Sequence, residues 1–272
     1  MTDIIHTFHG TKRKIKYGLF ISRKVTRNPS KPDAVISDLF PIKNDANWKT
    51  EFELLNVSGL ISGDNWQEAS QHLAIIYFFD QNGIQLGTRQ IFMNKVGRQT
   101  IKLSKILNSN ILNAKTFAVF HQDTKKSLSL SGSYLAERGY TGYEYMSIGM
   151  KGYVHGNLDA VALSNNIIEP LGNIGVIYRK YTVQHQLVGP ATYEFVFTNP
   201  TSKTVKITPE LAWGTDDWIA HSSFKIPTLG TRSFTTKLNK EDNAKVRFDS
   251  RLYLGRPVVF RISNYSMDVF HG

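Results

Sequence analysis

The sequence predicts an all-β fold made of two tandem antiparallel β-sandwiches, Ig-like or jelly-roll-like, joined by an ordered segment rich in tyrosine and glycine. Three observations predict it. Apolar residues recur with period two, turn residues punctuate the apolar runs, and fragments of the first half return in the same order in the second. The expected organisation is a basic arm at 1–17, a first sandwich at 18–125, a connecting segment at 126–174 and a second sandwich at 175–272. A chain of 272 residues with 41% hydrophobic content is long enough to bury such cores.

The basic arm comes first. Residues 1–32 hold eight Lys or Arg (Lys12, Arg13, Lys14, Lys16, Arg23, Lys24, Arg27, Lys31) against Asp3, so +7 of the chain's +11 lies there. Dense cations suit phosphate, acidic polysaccharide or an anionic membrane face, and Lys12, Arg13, Lys14 and Lys16 are the candidate anion-binding residues. The plainer reading is a solvated segment that aids solubility. The start "MTDIIHTFHGTKRKIK" has no apolar stretch before a small-residue cleavage site, so no secretory signal is expected and a cytoplasmic location follows by default. The longest apolar run, Leu73 to Phe79, is far shorter than the ~20 residues of a spanning helix, so no membrane span is expected. With no cysteine, disulfides, thiolate metal sites and cysteine nucleophiles are excluded.

In the first sandwich, "GLFISRK" from Gly18, "TEFELLNVS" (50–58), "LAIIYFF" and "KTFAVF" read as strands. Asn82-Gly83 stands between two apolar runs, the pair suited to the positive φ angles of a tight hairpin. Helix is expected only in short pieces, in "NWQEASQHL" and "LSKILNSNIL".

The connecting segment holds Tyr134, Tyr140, Tyr143, Tyr145 and Tyr153 among seven glycines. Disordered linkers are poor in aromatics, so an ordered, packed segment is expected. Tyr140, Tyr143 and Tyr145 are candidates for a surface that stacks sugar rings. The alternative is a clasp whose tyrosines fill the crevice between domains.

In the second sandwich, "GVIYRK" from Gly175 answers "GLFISRK", and "YEFVFTNPT" (193–201) answers "TEFELLNVS" with Glu194, Phe195 and Asn199 in step with Glu51, Phe52 and Asn56. Gly97 precedes Ile101 by four residues as Gly230 precedes Phe234. The repeated glutamates are expected to be cross-strand charge partners, and the repeated asparagines to open turns. In "TVKITPELAW" Val205, Ile207 and Leu211 share one parity with Pro209, which points to an edge or bulged strand. The loop "WGTDDWIAHSS" places Asp216, Asp217, Trp218 and His221 together. Carboxylates accept from sugar hydroxyls while an indole stacks on the apolar ring face, so these four are the second candidate ligand-binding group. A type I turn with Trp218 plugging the sandwich end is the structural alternative.

No nucleophile elbow, phosphate loop, H-E-x-x-H or dinucleotide fingerprint is present. The histidines form no cluster in sequence, although "FHG" at 8–10 and 270–272 and "VHG" at 154–156 recur, and no metal or cofactor is expected. These observations predict a non-catalytic recognition protein for carbohydrate or an anionic polymer. An enzyme acting on a sugar at the interdomain cleft is the first alternative, with carboxylates drawn from Asp216, Asp217, Glu194 or Glu144. An assembly or nucleic-acid-binding protein using the basic arm is the second. Exposed sheet edges make a homo-oligomer a further expectation.

Overall fold

The computed structural model describes residues 25–55, 72–93, 98–122, 136–137, 139–156, 160–214, 217–240, 242–253 and 256–272. Up to residue 122 the chain forms β1 (Val35–Ser37), β2 (Phe40–Pro41), β3 (Trp48–Leu55), β4 (His72–Phe79), β5 (Gln85–Met93), β6 (Arg98–Lys102), the short helix α1 (Leu103–Ile106) and β7 (Thr116–Gln122). Next come β8 (Ala136–Glu137), β9 (Tyr140–Tyr145), β10 (Met150–His155), β11 (Val161–Ser164) and β12 (Ile167–Pro170). The rest is β13 (Ile174–Thr182), β14 (Leu187–Val188), β15 (Ala191–Thr198), β16 (Val205–Trp213), β17 (Ile219–Ala220), β18 (Phe224–Ile226), β19 (Thr231–Leu238), β20 (Asn243–Leu252), β21 (Val258–Ile262) and β22 (Met267–His271).

The strands form five small sheets. Sheet I has the order β12-β11-β1-β8, sheet II β2-β7-β4-β5, sheet III β10-β9-β3-β6 and sheet IV β19-β15-β21-β22. Sheet V runs β13-β20-β16-β17, with β14 also on β20 and β18 also on β16. Pairing is antiparallel except between β1 and β8.

This architecture corrects the expectation of two tandem β-sandwiches. The all-β chain is arranged as a five-bladed β-propeller of small sheets, neither a sandwich pair nor a tandem repeat of sandwiches. The reason is visible in β4, where alternate residues serve different layers. Ala74, Ile76 and Phe78 pack with Phe52, Leu54, Ile101 and Phe117 between sheets II and III. Ile75, Tyr77 and Phe79 pack with Phe120, Val161 and Leu163 between sheets II and I. A sheet buried on both faces gives the continuous apolar run of Leu73 to Phe79, whereas a sandwich sheet with one wet face alternates. A third layer, with Trp48, Tyr143, Val196 and Phe260, joins sheets III and IV. A fourth, with Phe195, Phe197, Ile207 and Phe248, joins sheets IV and V.

The described strands of the segment expected to bridge two domains, β8 to β12, are instead built into sheets I and III. Strand β9 pairs with β3, and β11 pairs with β1, so each blade combines strands distant in sequence. The repeated nonapeptide keeps a local equivalence. Phe52 of β3 lies opposite Ile101, and Phe195 of β15 lies opposite Phe234. Asn199 is buried and its side chain accepts from the Thr201 N–H while donating to the Lys203 and Ile226 carbonyls, which ends β15 in a turn. Asn56 lies outside the described residues.

Local chemistry explains the other elements. Gly83 takes φ +80° in the β4–β5 turn, where the Asp80 carboxylate accepts from the Asn82 and Ile84 N–H groups. Of the two expected helical pieces, α1 forms in "LSKILNSNIL", while residues 65–71 of the other lie outside the described residues. Pro209 is not on a free edge: β16 pairs with β20 on one side, and on the other β18 covers Val205 to Ile207 and β17 covers Glu210 and Leu211. The proline stands between those two short strands, where its missing N–H breaks no ladder pair with either.

Candidate functional site

The tyrosines of β9 do not share one surface. Tyr143 is fully buried, donates its hydroxyl to the Pro41 carbonyl, and packs edge-on against Phe260 at 4.8 Å. Burial pushes its hydroxyl far above the ordinary phenol range, so it stays a neutral donor. Tyr145 is half-buried against the Trp48 ring at 4.8 Å. Tyr140 alone of the three is exposed, with its ring 6.1 Å from that of His155. Tyr143 therefore fills the layer between sheets III and IV, and Tyr145 packs partly buried against it.

The acidic-aromatic loop lies between β16 and β18. Asp217 and His221 are exposed, Trp218 is half-buried, and Asp216 lies outside the described residues. The Arg247 guanidinium sits 3.9 Å from the Trp218 ring centre, so one indole face is taken by a cation. The His221 ring packs 5.4 Å from Phe234. Lys12, Arg13, Lys14 and Lys16 also lie outside the described residues.

The repeated glutamates are held by cations. Glu51 accepts from Lys151 Nζ at 2.8 Å and Tyr153 Oη at 2.6 Å, across Gly142, where a Cβ would lie 2.7 Å from the Tyr153 ring. Burial raises its pKa, but the bonds to Lys151 and Tyr153 outweigh that and hold it below the ordinary carboxylate range. Glu194 accepts from Lys43 Nζ at 2.5 Å, tying sheet IV to the segment before β3.

The fold brings together two of the three histidine-glycine motifs. The rings of His155 and His271 are 5.1 Å apart, and His271 Nε2 contacts the His155 carbonyl. They border a cavity of ≈ 30 Å³ lined from all five sheets or the segments beside them, with Asp38, Tyr143, Thr198, Leu252 and Arg256 among its walls. That volume holds a water or two and no sugar ring. Burial lowers the His271 pKa to about 4, so the ring is neutral at pH 7. Among the described residues no three His, Asp or Glu side chains are grouped to hold a metal ion.

A different surface carries unbalanced charge. On sheet V, Val205, Ile207, Val246, Phe248 and Ser250 face the core, while Lys206, Lys225, Lys180, Lys245, Arg247 and Arg251 take the opposite parity with two acids, Glu210 and Asp249. Glu210 holds two of these cations, accepting from Arg247 Nε at 2.5 Å and Lys180 Nζ at 3.2 Å. Burial raises the Glu210 pKa, and the two cations outweigh it and keep the group ionised well into acid. At the other end Lys206 lies directly opposite Lys225, and Arg251 follows Ser250, the partner of Ile207, on the neighbouring strand. All three are exposed. Arg251 Nε donates to the Gly175 carbonyl at 2.9 Å, which fixes its guanidinium at the sheet surface. Among the described residues none of the three makes an ion pair. Like charges directly across a strand pair destabilise a sheet, so this row works against folding.

Comparison of the sequence with protein-family models and with curated proteins finds no match. The chemistry is therefore read from the residues alone. The alternation of Val205, Ile207 and Leu211 already put Lys206 on the polar side of its strand. It held no signal that β18, β16 and β20 are neighbours, which is what makes a row of them. The recurring histidine-glycine motif was the signal for the His155–His271 pair, and only the fold closes the distance.

Proposed function

We propose that this is a non-catalytic recognition protein that binds an anionic polymer, such as an acidic polysaccharide, on the outer face of sheet V. The observation that supports this reading is the row Lys225, Lys206 and Arg251, three exposed cations on adjacent strands without an ion-pair partner among the described residues. A fold gains nothing by opposing two lysines across a ladder, whereas a polymer with closely spaced anions gains a charge-assisted contact from each. Neighbouring strands lie about 4.8 Å apart, so one chain crossing the strands meets successive cations. Trp218, with Arg247 over its ring, borders the same face and adds an apolar surface beside the charges. Of the carboxylates, Glu51, Glu194 and Glu210 are each engaged by lysine or arginine.

The test is salt-dependent binding of a sulfated polysaccharide, with single-stranded DNA as the comparison polymer. Each cation removed should shallow the log–log salt slope by about 0.7 to 0.9. The triple variant Lys206→Gln, Lys225→Gln, Arg251→Gln is expected to lose roughly two units of slope while its thermal stability stays level or rises. An unchanged slope would overturn the proposal. A slope that survives in the triple variant and vanishes when residues 1–24 are deleted would move binding to the N-terminal cations.

A further inference from the structure

Sheet V carries a second feature in the register of β13, beside Arg251. Along β13, Ile174 pairs with Leu252 and the next pair is Arg179 with Ser250. Residues 175–178 thus stand against Arg251 alone, and the surplus chain bulges off the sheet. The bulge leaves Val176, Ile177 and Tyr178 exposed, at 75%, 56% and 51%. Where regular pairing resumes, Arg179, Lys180 and Tyr181 border a cavity of ≈ 180 Å³. Its floor is Phe197, Ile207, Phe248 and Leu252, all buried. Its rim carries Arg179, whose guanidinium lies 4.9 Å from the centre of the Tyr253 ring.

We infer that this cavity is a binding site for a small amphipathic anion, a carboxylate bearing a single aromatic ring or a short alkyl chain. Three features support this. The cavity opens at its rim onto an apolar floor, so a guest that covers Phe197, Ile207, Phe248 and Leu252 removes apolar surface from water. The size suits one ring: a dry cavity of about 150 Å³ lined by Leu, Ile and Phe takes up benzene. The charge is complementary, since the floor offers no hydrogen-bonding side chain while the planar guanidinium of Arg179 matches a carboxylate at the mouth. Ser250 and Tyr181 also border the cavity, but their hydroxyls are already donated to the Lys206 and Gly272 carbonyls. Lys180 lines the cavity too, but its Nζ is held by Glu210, so Arg179 supplies the orienting group and the apolar floor supplies affinity. The site is distinct from the row Lys225, Lys206 and Arg251, none of which lines the cavity, and Arg179 stands opposite the core-facing Ser250.

Titration calorimetry of the full chain with benzoate and with benzyl alcohol tests the assignment. Wild type should bind benzoate saturably at one site, and Arg179→Gln should weaken benzoate about tenfold while leaving benzyl alcohol unchanged. Leu252→Phe, which fills the floor, should abolish binding of both. Absence of saturable benzoate binding to wild type, or equal benzoate affinity in Arg179→Gln, would overturn the inference. So would benzoate binding that persists in folded Leu252→Phe. If Leu252→Phe does not fold, the comparison of wild type with Arg179→Gln decides alone, because that rim substitution leaves the core intact.

Discussion

Replacing His271 with glutamine should flatten the acid limb of the protein's stability curve. His271 sits at the end of β22 with its ring 5.1 Å from that of His155, and its Nε2 meets the His155 carbonyl. Burial drives its pKa from 6.5 down to about 4; the carbonyl contact opposes that shift, and the charges of Arg256 and His155 reinforce it. The unfolded chain therefore takes up this proton near pH 6.5 and the folded protein only near pH 4. Stability from this group is fully present above pH 6.5 and is lost as the pH falls through the window between those values. Linkage across that window gives about 2 kcal/mol lost between pH 7 and pH 5. Solvent reaches part of the ring, which reduces the expected loss to roughly 1 kcal/mol. Glutamine keeps an amide donor for the His155 carbonyl and does not titrate. Urea unfolding at pH 7, 6 and 5 should show wild type losing more stability than His271→Gln by that amount. Parallel profiles for the two proteins would refute the reasoning, because they would mean that the ring charges as easily folded as unfolded.

Three further outcomes are expected. Phe78→Ala and Phe79→Ala, on opposite faces of β4, should each cost about 3–5 kcal/mol in chemical denaturation, whereas a strand with one wet face would tolerate one of them. Glu210→Gln should destabilise by about 1–2 kcal/mol at pH 7 by releasing Arg247 and Lys180, and since the Glu210 pKa is held below 4.5, wild type and variant should converge only as the pH falls below that value. Gly156→Ala should cost about 1–3 kcal/mol in thermal unfolding, because a Cβ there would lie 1.5 Å from Asp38 Oδ2, and shortening the acid in the double variant with Asp38→Ala should restore part of the loss.

Much of the local structure was legible because it depends on neighbours in sequence. Period-two alternation marked β16, Asn82-Gly83 marked the β4–β5 turn, and the density of tyrosine marked the middle segment as packed. The architecture was misread where one residue pattern serves two packing arrangements. An apolar run such as Leu73 to Phe79 says that a strand is buried, but not that its two faces belong to different layers. The candidate sites divide in the same way. Trp218 and its acidic neighbours were legible as a loop, yet Arg247, which covers the indole, lies 29 positions later in sequence and reaches it only through the β16–β20 ladder.

The sequence by itself determined that the described residues are mainly β, that a tight turn falls at Asn82-Gly83, and which side of a strand such as β16 packs inward. Side-chain alternation and turn chemistry are properties of a few consecutive residues, and physics confined to that range decides them. Only the tertiary structure decided that five small sheets share four apolar layers, that His155 meets His271, and that Lys225, Lys206 and Arg251 stand side by side. Those outcomes depend on which strands pair across long separations, a choice made by the fit of whole apolar faces that no short stretch of sequence contains.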